Sequence, residues 1–129
     1  MTRQTLLIFI LIITATPVIY SQLRTKTSGK GLAGAPQRVR ALENPFRGSE
    51  SARSAGKKLF ERHCAECHGS SGEGSEQAPS LRDVSKTATP GMLHWFIKNG
   101  NLRTGMPSWS RLPDQRLWQV VTYLQTLSN

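Results

Sequence analysis

Acidic residues and cysteines are scarce in this sequence: eight Asp and Glu stand against seventeen Lys and Arg, and there are two cysteines in 129 residues. Without a second cysteine pair there is no zinc-built nucleic-acid module, and neither a helix-turn-helix nor an RNP-like run replaces it. A nucleic-acid partner is therefore not expected, although the formal charge is +9. That charge is unevenly spread, with +6 on residues 1–47 and +3 on residues 48–129. The basic stretch reads first as a solvated tail, with anionic lipid or an acidic partner as the alternatives. Long apolar runs are lacking too. The span from Leu6 to Tyr20 is 15 residues, short of the ~20 a membrane helix needs.

What is present falls into three parts. Residues 1–21 have a basic start at Arg3, a short apolar run and a candidate cleavage point after Ser21. They read as a signal for export to the periplasm or, if uncleaved, as an anchor tethering residues 5–21 in the inner membrane. Residues 22–47 mix Gly29, Gly31, Gly34, Pro36 and Pro45 with arginines and lysines, which reads as a basic flexible linker. Residues 48–129 form the folded domain. About eighty residues make a modest core, and such a chain gains from an apolar cofactor that serves as core material.

The chemistry concentrates in His63-Cys64-Ala65-Glu66-Cys67-His68. Two thiols three residues apart lie on one helical turn, where they can reach the two vinyl groups on one edge of a porphyrin. The histidine that follows can then bind the iron. A dithiol redox site would need a βαβ setting, which the sequence does not offer. Structural zinc would need four ligands arranged tetrahedrally, which His63, Cys64, Cys67 and His68 can hardly supply within six residues. A pair of buried inert cysteines is the remaining alternative. The run from Gly69 to Gly74 stops the helix and lets backbone pass close to a flat group.

A second axial ligand could be Met92, His94 or Met106. Thr89-Pro90 predicts a helix start and Asn99-Gly100 its end; Met92, Leu93, Phe96 and Ile97 make its apolar side. Met92 is then core, and His94 is a half-buried or exposed histidine held in reserve as a ligand. Met106 sits on a loop stiffened by Gly105 and Pro107 and is the stronger candidate. A further helix is expected over Asp114–Leu127, with Leu117, Val120, Val121, Leu124 and Leu127 on one stripe. It should cross a helix at roughly Ser51–Arg62, with Gly56 at the close approach.

Taken in order, Gly56-Lys57-Lys58-Leu59-Phe60, the Cys64–Gly69 motif, Gly72-Glu73-Gly74, Ala78-Pro79-Ser80-Leu81, Gly105-Met106-Pro107 and the Leu117–Leu124 helix resemble the class I monohaem cytochromes c, in the bacterial cytochrome c6-like style. The resemblance covers residues 45–129. It implies an all-α bundle of short helices wrapped around one covalent haem c and its iron. Cys64 and Cys67 would attach the group, His68 would be proximal and Met106 distal. It also implies that the carbonyl of Pro79 accepts from His68 and that Leu81 packs on the haem face. Trp95 and Trp109 would be core or haem-edge shields. Pro113 departs from the serine-type cap common in the family.

The expected function is electron transfer by six-coordinate His/Met iron rather than catalysis, between redox donors and acceptors such as a dehydrogenase, a cytochrome complex or a terminal oxidase. Two alternatives stand beside it. One is a haem c subunit working only inside a dehydrogenase or oxidase complex; the other is a five-coordinate haem enzyme or gas-binding protein with Met106 off the iron.

Overall fold

The computed structural model describes residues 31–127. The expected export or anchor segment, residues 1–21, and the first part of the expected linker lie outside them. No helix among the described residues is long and apolar enough to cross a membrane.

The described residues form six helices: α1 (Gln37–Arg40), α2 (Glu50–His63), α3 (Ala65–His68), α4 (Val84–Thr87), α5 (Pro90–Asn99) and α6 (Asp114–Leu124). Two 3-10 turns, Leu32–Gly34 and Leu102–Thr104, complete the regular structure apart from an isolated bridge between Asn101 and Met106. The all-α expectation is met.

Local chemistry sets the ends of the long helices. Ser49 Oγ accepts from the amide of Ala52 (3.2 Å) and starts α2, satisfying one of the donors that a first turn leaves open. Thr89 Oγ1 does the same for Met92 (3.3 Å) at the head of α5. Pro90 occupies the first helical position and Gly100, at φ 68°, ends the helix. α2 buries Ala52, Gly56, Leu59 and Phe60, a stripe at helical spacing. α6 buries Leu117, Val120, Val121 and Leu124 on the facing stripe. The two helices cross with Gly56 against the Gln119 backbone, where a Cβ would collide with the carbonyl. Beside that point the Phe60 and Tyr123 rings pack 5.2 Å apart. Phe60, Leu117 and Val121 are the largest fully buried side chains, each contributing about 1.5–3 kcal/mol by burial. α6 stops at Leu124, three residues short of the expected end. There the Thr126 hydroxyl turns back onto the Tyr123 carbonyl (2.6 Å) and the chain closes into a turn.

Residues 31–47 differ from the flexible linker expected over 22–47: they pack on the domain. Ala35 and Asn44 are 3% and 4% exposed. Asn44 Nδ2 donates to Thr122 Oγ1 (3.0 Å) and Gln125 Oε1 (2.8 Å), while its Oδ1 accepts from the Phe46 amide (2.9 Å). Gly91 of α5 lies so close to α1 that a Cβ would strike the Val39 carbonyl. Small apolar residues without a period, and an amide whose partners lie some eighty residues downstream, leave no local signal for this docking. Asn44→Ala should destabilise the protein by about 1–3 kcal/mol, because buried polar groups lose their partner. Equilibrium urea unfolding measures it.

Candidate functional site

The Cys64 amide closes α2 onto the Phe60 carbonyl (2.8 Å), and the Cys64 carbonyl then accepts from the amides of Cys67 (3.2 Å) and His68 (2.9 Å). Both cysteines and His68 therefore ride on a single turn, with Cys64 capping α3 and Cys67 and His68 within it. The cysteines are unpaired thiols, Cys64 half-buried and Cys67 exposed. Burial, helped by the neighbouring Cys67, pushes the Cys64 thiol up to about 11. Among the described residues no three His, Cys, Asp or Glu side chains converge as a metal cluster.

Beyond α3 the chain folds back on itself. Gly72 and Gly74 adopt left-handed φ values of 71° and 87°, open to glycine at little cost. The Gly74 amide reaches the His68 carbonyl (2.7 Å), and the Leu81 amide reaches that of Gly72 (2.7 Å). This loop carries the Pro79 carbonyl to within 2.9 Å of His68 Nδ1. A carbonyl can only accept, so Nδ1 carries the proton and Nε2 presents its lone pair. Nε2 is then the ring nitrogen left to bind a metal. Leu81 lies half-buried against the core.

Met106 is held from the other side of the sequence. Asn101 and Met106 exchange two backbone hydrogen bonds (2.9 and 3.1 Å), and Gly105 turns the tip at φ 83°. The hairpin is pinned to α5 where the Ser108 hydroxyl donates to the Lys98 carbonyl (2.7 Å) and the Trp109 amide to that of Ile97 (3.2 Å). Trp109 also packs on His63, with ring centroids 4.9 Å apart. The Met106 hairpin thereby touches the residue that precedes Cys64. Asn101 and Ser108 were not legible as supports: the Asn99-Gly100-Asn101 run signals a helix stop and hides the bridge that follows it.

His94 is buried, not half-buried or exposed as expected. Its ring stacks on Trp118 of α6 at 4.2 Å and 20°, with Nε2 3.6 Å from Asp114 Oδ1. The ring face is thus covered by α6, while Nε2 is buried without a hydrogen-bond partner. Burial holds its pKa below the usual histidine value, against the pull of Asp114. Below about pH 6.5 the unfolded chain takes up a proton that the folded state refuses, so stability falls as the pH drops from there toward the lower native pKa. Thermal midpoints measured from pH 7.5 to 5 should decline, and less steeply in His94→Gln.

Residues 51–124 match the family described as cytochrome c oxidase, cbb3-type, subunit III. The chain belongs to this family of c-type cytochromes. Among solved structures the cytochrome is similar to cytochrome cL from the marine methylotrophic bacterium Methylophaga aminisulfidivorans. The TM-score is 0.59 and the identity 24%, over 78% of this chain and 71% of that one; at such identity the likeness speaks to fold. No curated protein matches the chain significantly. As a c-type cytochrome it binds covalent haem c with iron and transfers electrons to and from redox proteins; it is not an enzyme. Cytochromes of this type are typically exported to the periplasm. The residues present fit the group. Two unpaired thiols and a lone-pair-bearing Nε2 share one turn, and Leu81, Val84, Met106, Trp109 and Leu112 border the core only partly covered.

Proposed function

We propose that this cytochrome is a single-electron shuttle whose iron is six-coordinate, with Cys64 and Cys67 bearing the thioethers, His68 proximal and Met106 distal. Bound there, haem c supplies the Fe(III)/Fe(II) couple. The chain's own work is to hold both ligands still while the charge changes. The hydrogen bond from His68 Nδ1 to Pro79 carries this reading, because it fixes the ring and leaves Nε2 for the metal. The two-fold backbone bridge at Asn101 supports Met106 in the same way, and favours it over His94, whose buried ring lies stacked on Trp118. Leu81 would pack against the ring face. Residues 1–21 would direct export, either cleaved or retained as a tether through residues 5–21.

Optical and EPR spectra of the exported protein in both oxidation states test the ligand set. Low-spin iron with a sulfur-ligand signature, and pigment that stays with the protein in acidified organic solvent, are the expected results. High-spin iron that binds carbon monoxide rapidly would instead place Met106 off the metal.

A second reading keeps the same site but puts it inside a larger assembly. The family's description, a subunit of a terminal oxidase, favours it. Co-purification with a membrane oxidase under mild detergent would select this reading over the freely diffusing shuttle.

A further inference from the structure

A cleft of about 350 Å³ runs along the flank of α2. Ser51, Ser54, Lys58 and Arg62 form its rim at helical spacing, Ala55 and Leu59 its floor, and Arg116 of α6 the facing wall. The charges near it are sorted in an informative way. Glu50 is paired with Arg53, Glu61 with Lys57, and Asp114 with Lys98. Every acid on α2 and α6 is thus engaged by a cation outside the cleft. Lys58, Arg62 and Arg116 have no acidic partner among the described residues. Three cations left unneutralised around one concavity, with hydroxyl donors at one end and an apolar floor, are complementary to carboxylates on short apolar stems.

We propose that this cleft docks an acidic surface loop of the cytochrome's redox protein partner, taking its Asp or Glu side chains between Lys58, Arg62 and Arg116. The proposal rests on the electron-carrier reading and names the partner chemistry that the reading leaves open. Two guanidinium forks match separate carboxylates bidentately, which a lone ammonium cannot do. The cleft is at the small end of ligand-site volumes, with room for one or two side chains and none for a docked helix ~10 Å wide. Brief redox encounters bury little area and draw their rate from charge complementarity.

The test uses the haem-loaded full chain and a hexaglutamate peptide as probe, followed by amide NMR shifts at low ionic strength. Shifts centred on Ser54, Lys58, Arg62 and Arg116, fading as salt is raised, are expected. Arg62→Gln/Arg116→Gln should weaken the peptide about tenfold or more, with the haem spectrum unchanged because both side chains are exposed. Arg53→Gln/Lys57→Gln, which removes the same formal charge from paired positions, should bind like the parent. Equal weakening in the two double variants would mean that net charge alone is at work and would overturn the proposal. So would shifts mapping elsewhere, or binding of phosphate or phosphatidylglycerol vesicles in place of the peptide. The electron-carrier reading is decided by the haem spectrum of the parent and survives any of these results.

Discussion

Met106→Ala should lower the reduction potential on the order of 0.1–0.3 V, a fraction of the ~0.8 V over which axial ligands set haem potentials. A thioether is a soft ligand that stabilises reduced iron, so its loss favours Fe(III). The same change should open one coordination position, convert part of the iron to high spin and admit carbon monoxide. The hairpin makes this a clean experiment. Its bridge is built from the backbone atoms of Asn101 and Met106, which alanine retains. The half-buried Met106 side chain is not among the core residues, so the fold should persist. Protein-film voltammetry and EPR measure both effects. An unchanged potential and spectrum would remove Met106 from the iron and return the question to other donors.

Gly56→Val should have the largest effect on stability, about 3 kcal/mol or more. Even the first added carbon would overlap the Gln119 carbonyl and press on the Tyr123 side chain. A backbone carbonyl cannot step aside as a flexible side chain can, so α2 and α6 must move apart. That separation loosens Phe60, Leu117 and Val121 together, because one interface buries all three. Against a typical domain stability of about 5–15 kcal/mol, such a loss is severe in so small a core. Gly56→Ala should follow the same direction more weakly. Urea midpoints and the yield of haem-loaded protein report the outcome; wild-type stability in the valine variant would mean that the helices do not meet at Gly56.

Much of this architecture was legible because its signals are local. Thr89-Pro90 and Gly100 bracket α5 as their chemistry predicts, and the alternating stripes of α2 and α6 name their own buried faces. The cysteine pair with its histidine is local as well, a single turn carrying its meaning in its spacing. The His68 contact with Pro79 was different. It spans eleven residues of irregular loop, and only resemblance to the cytochromes c pointed to it. What escaped depends on partners distant in sequence. His94 gave no sign that Trp118 would cover it, and Asn44 none that α6 would claim its amide. The unpaired cations of the α2 flank were equally hidden, since their significance comes from where the neighbouring acids are spent.

Asn44 has a mechanical consequence as well. Both hydrogens of its amide are anchored on the last helix, at Thr122 and Gln125. A pull on the chain ahead of Asn44 would therefore be shared between α5, which meets Val39 at Gly91, and the end of α6. α5 also holds the Met106 hairpin, through Ser108 on Lys98 and Trp109 on Ile97, so residues 31–47 brace the helix that carries the hairpin as well as the one beside it.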